Sequence, residues 1–370
     1  MGGLSQTNVT PTCFLSVFAK VTLLLPVLVY QIFTKIASNT HRHAPRRVLA
    51  HTVGRFMSDR FHFTELQALF GNDSTIMYMI WALISLQWPR IEEVGGGARI
   101  AWLGPKPNKP GKLILYVPGG GFVNPIPPTN IASIHEMKKH TKQKGLDIGV
   151  AMVVYKLRPE GRFPSQLLQT ECTLHALLTA GFSPEDIILC GDSAGAHIAL
   201  QLISHILHPT ALSNIGKPVL PSTVKFRGVV LISPYVGLAG CSSLLRNGNE
   251  DLISPENYLS WGSGYLGDVP VDIPAFADPL LAPASWFDGL ATVVDQILVV
   301  AGEKECLIDA IVEFHNTHLE PQLTRDKLRF MRIQDGVHDD FVLDFAFPPY
   351  VLTQSTRDIL DWVAGVFTQG

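Results

Sequence analysis

From Lys112 onward the chain alternates short apolar runs with helical patterns, and this alternation constrains the fold more than any other feature. Runs rich in β-branched residues stand at Leu113–Val117, Val150–Tyr155, Ile187–Cys190, Val229–Ser233, Ile297–Val300 and Leu328–Ile333. Between them lie amphipathic stretches at Asn130–Lys144, Gln166–Ala180, Ala194–His208 and Leu307 to about Leu319, and a last helix spans Thr353 to Phe367. Strands that are apolar at every position need cover on both faces, and parallel strands need helical crossovers. The pattern therefore predicts an α/β fold with a mainly parallel sheet between helices. Its longest interruption, roughly 235–295, follows the Val229 run and reads as an insertion whose helix starts with Ser254 as N-cap, Pro255 at the first helical position and Glu256 in the first turn. A length of 370 residues fits one large α/β domain.

Two segments carry chemistry. Gly191-Asp192-Ser193-Ala194-Gly195 fits G-x-S-x-G, with the run Ile187–Cys190 before it and a helix after it. That context suits a nucleophilic serine on a tight strand-to-helix turn, where flanking glycines let the two elements pass closely. Upstream, the run Leu113–Val117 leads straight into Pro118-Gly119-Gly120-Gly121-Phe122. Glycines after a strand let backbone N–H groups turn toward a ligand. The N–H groups of Gly120 and Gly121, with that of Ala194 after the serine, are the expected donors to an oxyanion. The competing readings are a chance pentapeptide for the first segment and a flexible loop or phosphate cradle for the second.

These motifs, in this order, resemble those of the hormone-sensitive-lipase-like group of α/β-hydrolases, which includes fungal and microbial carboxylesterases and steryl acetyl hydrolases. That group carries His-Gly-Gly-Gly, then Tyr-Arg-Leu-Ala-Pro-Glu, then Gly-Asp-Ser-Ala-Gly. Here the stretches read Pro118-Gly119-Gly120-Gly121, Tyr155-Lys156-Leu157-Arg158-Pro159-Glu160 and Gly191 to Gly195, and the likeness covers roughly 110–365. The resemblance implies an α/β-hydrolase fold and a serine esterase without cofactor. It places the base at His338, in the loop after Leu328–Ile333, and the acid at Glu305, with Asp309 as the rival. Pro118 departs from the family histidine. Proline lacks an N–H, so it leaves open what anchors the loop and which substrate is taken. An alternative within the same scaffold is a fungal secondary-metabolite hydrolase that releases, deacylates or cyclises a polyketide-type intermediate.

Composition narrows the partners. Charged residues make up 16% of the chain and apolar residues 46%, against roughly 25% charged in average proteins. A net charge of −3 offers no basic footprint, so no nucleic-acid partner is expected. The five cysteines are scattered and the thirteen histidines lack ligand spacing, so the expectation is buried thiols and no metal. The excess apolarity lies partly in residues 13–33, an apolar run of spanning length interrupted by Lys20 and Pro26 and followed by Lys35, Arg42, Arg46 and Arg47. That charge placement predicts a single-pass anchor, in the endoplasmic reticulum or a similar membrane, with the body on the cytosolic face. A helix packed on the body or lying in the interface is the other reading. A second apolar stretch, Thr75 to Trp88, reads as a membrane-associated helix or a lid, and Gly95-Gly96-Gly97 as a hairpin turn. The expected division is an anchor-like helix at 1–40, a helical cap at 41–100 and a catalytic domain at 101–370. The apolar N-terminal helices, with Tyr258, Trp261, Tyr265 and Trp286 in the insertion, suggest a lipophilic ester as substrate.

Overall fold

The computed structural model describes residues 16–24, 26–27, 29–30, 44–212, 220 and 224–369. Strands β1 (Ile91–Gly95), β2 (Ala98–Trp102), β3 (Leu113–Val117), β4 (Gly149–Val154), β5 (Ile187–Asp192), β6 (Gly228–Ile232), β7 (Ile297–Gly302) and β8 (Leu328–Ile333) form one sheet in the order β1-β2-β4-β3-β5-β6-β7-β8. From β4 to β8 every pairing is parallel. The hairpin β1–β2, which turns at Gly95–Gly97, adds an antiparallel edge.

Every residue of β3 to β7 is buried, because helices cover both faces. Alternate side chains of β3 enter two separate cores: Leu113, Leu115 and Val117 pack on one face and Ile114 and Tyr116 on the other. Among the described residues a helical stretch at 16–24 is followed, ahead of the sheet, by α1 (Pro45–Arg60), α2 (Phe63–Phe70) and α3 (Thr75–Ile84). The longer helices that follow are α4 (Pro128–Gln143), α5 (Ser165–Thr179), α6 (Ala194–Leu207), α7 (Pro255–Leu266), α8 (Ile308–Phe314) and α9 (Gln354–Thr368). Leu167 and Leu174 of α5 and Leu200 of α6 fill the first core, while Ile131 and Ile134 of α4 and Ile359 and Val363 of α9 fill the second.

Because β3 lies between β4 and β5, the chain leaves it toward one side and returns on the other. The C-terminal ends of β3 and β5 flank that switch point, where α/β sheets bind their ligands. The loop at Pro118 and the turn at Ser193 both fall there.

The N-terminal expectation is corrected. Among the described residues no helix is long and apolar enough to cross a membrane. The described part of the 13–33 segment is helical at 16–24, and its charge is not left bare: Lys20 Nζ donates to Glu65 Oε1 of α2 at 2.7 Å and lies 5.4 Å from the centre of the Phe61 ring. Ser16 Oγ donates to the same carboxylate at 2.7 Å. The ion pair to α2 ties this face of the helix to the body, while Phe18, Val21, Leu23, Val29 and Tyr30 are exposed. Residues 13–15, 25, 28 and 31–33, and the basic residues Lys35 and Arg42, lie outside the described residues. The Thr75–Trp88 stretch begins with the helix α3, which buries Tyr78 and Trp81 against the body and exposes Leu83, and ends in a turn that exposes Leu86 and Trp88. Tyr78 Oη donates to the Trp102 carbonyl at 2.7 Å, and the Trp81 ring meets His135 edge-on at 5.1 Å.

Candidate active site

Ser193 stands between β5 and α6 with φ +49°, a left-handed backbone that a non-glycine residue adopts only when its surroundings enforce it. The close packing of strand and helix explains the motif's glycines. A Cβ on Gly195 would lie 2.0 Å from the Val117 carbonyl oxygen, and one on Gly191 would lie 2.6 Å from the Gly195 backbone. The turn is pinned by hydrogen bonds from Ser193 N to the Ile232 carbonyl at 2.8 Å and from Tyr235 N to the Ser193 carbonyl at 3.1 Å.

His338 Nε2 lies 2.9 Å from Ser193 Oγ. The imidazole is 1% exposed, and this burial pushes its pKa down to about 3, which keeps the ring neutral and able to accept a proton. Glu305 is fully buried, with Oε2 3.9 Å from His338 Nδ1. That oxygen accepts from Ser233 Oγ at 2.6 Å and Gly302 N at 3.2 Å, while His338 Nδ1 and Glu305 Oε1 have no hydrogen-bond partner. At 3.9 Å the two groups are within ion-pair range and are not hydrogen-bonded. Asp309 takes no part in this group. It faces outward on α8, its side chain 37% exposed, and binds Arg246 through two bonds of 2.6 and 3.0 Å.

Gly120 and Gly121, at φ +109° and +60°, line the same cavity as Ser193 and His338. Ala194 is the first residue of α6, where the N–H has no partner within the helix. Pro118 leaves the loop well anchored by other groups. Tyr155 Oη donates to the Pro118 carbonyl at 2.6 Å, and Gly119 N donates to Asp192 Oδ1 at 3.0 Å. Asp192, buried, also accepts from Tyr116 Oη at 2.6 Å and Asn130 Nδ2 at 3.0 Å.

Two residues that sequence reasoning passed over hold the other loops. Asp251 of the insertion is fully buried and accepts from His338 N at 2.8 Å and Cys306 N at 2.7 Å. Ser233, at the end of β6, donates to Glu305 and accepts from Asp339 N at 3.0 Å. No local motif marks either one; only the returning chain supplies their partners. Burial and the nearby Asp251 charge raise the Glu305 carboxyl well above its ordinary range.

The cavity over these groups has a volume of about 440 Å³ and walls that are mostly apolar. Val53, Gly54 and Met57 of α1 form one side, Trp261 of α7 another, and Val342 and Phe347 a third. Of the insertion aromatics, Trp261 lines the cavity and packs on Gly121, where a Cβ would lie 2.3 Å from its ring. Tyr258 meets the His338 ring edge-on at 5.4 Å. Tyr265 stacks on Phe122 at 3.9 Å, and Trp286 packs on His208 at 3.8 Å, so both serve the core. Among the described residues no cluster of three or more His, Cys, Asp or Glu side chains is arranged to hold a metal ion.

Comparison with known proteins gives the same picture. A family model described as the alpha/beta hydrolase fold matches residues 114–341. The chain is 30% identical over 257 residues to an esterase of Acinetobacter venetianus, covering 69% of this chain and 75% of that one. It is 28% identical over 218 residues to an acetyl-hydrolase of Streptomyces hygroscopicus, covering 58% and 64%. The crystal structure of an esterase from the bacterial hormone-sensitive lipase family superposes with a TM-score of 0.65 at 20% identity, over 88% of this chain and 99% of that one. Carboxyl esterase 2 from the fungus Tuber melanosporum gives 0.58 at 19% identity, over 76% and 87%. At these identities the solved structures establish the fold.

Proposed function

The chain belongs to the α/β-hydrolase family, and from that membership we propose that it is a serine esterase that cleaves lipophilic carboxylic esters through a Ser193–His338–Glu305 triad. That it hydrolyses carboxylic esters follows from its relatives; the triad, the acyl-enzyme and the substrate's lipophilicity are the finer part of the reading. The observation that carries it is the 2.9 Å approach of His338 Nε2 to Ser193 Oγ under a largely apolar cavity.

In this reaction Ser193 Oγ attacks the ester carbonyl carbon while His338 Nε2 takes its proton. Glu305 turns toward Nδ1 and stabilises the imidazolium. The N–H groups of Gly120, Gly121 and Ala194 receive the charge on the former carbonyl oxygen. The tetrahedral intermediate collapses, the alcohol departs with the proton from His338, and water releases the acyl group by the reverse sequence. A volume of about 440 Å³ between α1, α7 and the histidine loop suits a substrate group larger than acetyl.

A fluorophosphonate probe tests the reading. Labelling of the wild-type protein that disappears in Ser193→Ala, together with turnover of p-nitrophenyl esters, is the expected result. Labelling that persists in Ser193→Ala overturns it.

A further inference from the structure

Asp339, directly after His338, has no part in the reaction as described, yet its carboxyl lies at the reaction centre. Its Oδ2 is 3.8 Å from His338 Nε2, and the residue lines the cavity beside Ser193. Its backbone is left-handed, with φ +51°. Its N–H is held by Ser233 Oγ, the hydroxyl that also donates to Glu305. A strained backbone fixed on its other side by the acid's own hydrogen-bond network aims the side chain rather than leaving it to solvent. The side chain is only 10% exposed, and Oδ1 accepts no hydrogen bond from the described residues.

The neighbouring Asp192 explains how such a carboxyl is tolerated. Asp192 accepts three hydrogen bonds, from Tyr116, Gly119 and Asn130. A carboxylate has about four acceptor positions, so one remains for a proton carried by Asp339. The two carboxyls are within hydrogen-bond reach, and burial, Asp192, Glu305 and Asp251 all hold Asp339 well above the ordinary carboxylate range. Asp339 is then a neutral acid: one oxygen donates to Asp192, and the other is an acceptor facing the reacting atoms.

Two acceptors 3.8 Å apart are too far for direct contact and close enough to share one water at about 2.8 Å from each. Resting on the acyl-enzyme of the proposed function, we infer that Asp339 positions the water that hydrolyses it. Once Ser193 Oγ is esterified, His338 Nε2 is released from it and accepts one hydrogen of this water, while Asp339 Oδ2 accepts the other. The water oxygen forms its bond to the acyl carbon as its proton passes to Nε2. The tetrahedral intermediate then breaks the bond from carbon to Ser193 Oγ, Oγ recovers the proton from His338, and the carboxylic acid leaves. The second hydrogen stays on the attacking oxygen throughout, so Asp339 orients and transfers no proton.

The test is the lifetime of the acyl group on Ser193, read by stopped-flow bursts with p-nitrophenyl butyrate and by intact mass after quenching. Asp339→Gly removes the carboxyl and suits the positive φ, and Asp339→Asn keeps both an acceptor and a donor for Asp192. The glycine variant is expected to lengthen the lifetime by on the order of ten- to a hundredfold, with kcat and KM falling together while acylation keeps its rate. The asparagine variant is expected to restore a short lifetime. An unchanged lifetime in Asp339→Gly, or an asparagine variant as slow as the glycine one, overturns the role of Asp339 alone. Absence of any adduct on Ser193 in all three proteins overturns the acyl-enzyme as well.

Discussion

Arg47 offers the sharpest measurement of how α1 is held over the cavity. Its guanidinium is buried, with the residue 7% exposed, and donates to the carboxylates of Asp340 and Asp344 and to the Asp340 carbonyl at 3.3 Å. Asp344 has three further donors, from Thr353 N, Thr353 Oγ1 and Thr356 Oγ1. Among the described residues the Asp340 carboxylate accepts only from Val337 N besides Arg47. Replacing Arg47 by Met therefore leaves Asp344 largely solvated by hydroxyls and strands the charge of Asp340, two residues from His338. Breaking a buried pair by removing one partner costs about 3–5 kcal/mol, and the donors on Asp344 put the expected loss near the lower end, about 3 kcal/mol. Urea unfolding followed by tryptophan fluorescence reads that loss. The triple variant Arg47→Met, Asp340→Asn, Asp344→Asn removes the stranded charges and is expected to recover all but about 1 kcal/mol. A loss below about 1 kcal/mol for Arg47→Met alone, the size of an exposed pair, refutes the reasoning.

Glu305→Gln is expected to lower kcat by about two to four orders of magnitude, whereas Asp309→Asn, which loses only an exposed pair with Arg246, stays near wild type; equal losses in the two would discredit the assignment. Met57→Trp narrows the cavity wall on α1 and is expected to raise KM at least tenfold for long-chain p-nitrophenyl esters while sparing the acetate, a contrast read from a chain-length series. Because burial pushes His338 down to about 3 while it holds Glu305 well above its ordinary range, the acid limb of kcat/KM for a neutral ester is expected to follow protonation of Glu305 and to vanish from the residual activity of Glu305→Gln. A limb centred near 6.5, the ordinary histidine value, that persists in Glu305→Gln would contradict a desolvated imidazole. Gly120→Ala sets a Cβ 2.2 Å from the Asn124 carbonyl oxygen and is expected to cost about 10²–10³ in kcat by displacing the oxyanion loop, with near-normal probe labelling of Ser193 arguing against it.

The sheet was legible where it is buried on both sides. Residues of β3 to β7 are apolar throughout because helices cover both faces, and a parallel strand of that kind stands out as an uninterrupted run. The edge pair β1–β2 was read only as a turn. Its residues Ile91–Gly95 are partly exposed and include Glu92 and Glu93, so no apolar run announces a strand. The 13–33 segment is ambiguous for the converse reason: apolarity over a given length does not say what covers it, and Glu65, the partner of Lys20, lies 45 positions away. The serine turn and glycine loop were legible because their backbone constraints are local. Glu305 was preferred to Asp309 only through the family resemblance, because local sequence does not say which carboxylate faces inward.

The site is held by carboxylates that reach from one loop to the backbone of another. Asp192, beside the serine, takes the N–H of Gly119 in the oxyanion loop. Asp251, from the insertion, takes the N–H groups of both Cys306 and His338, and so ties the acid's loop to the base's loop. Ser233 joins Glu305 to the backbone of Asp339. Each bond spans at least 55 residues of sequence, so none exists before the sheet has formed. Buried carboxylates are costly unless fully hydrogen-bonded, and here the loops supply the hydrogen bonds. The dependence is mutual: the loops need the carboxylates to fix their N–H groups, and the carboxylates need the loops to be buried at all. A displaced loop therefore leaves both an unpaired buried acid and a misplaced neighbouring loop.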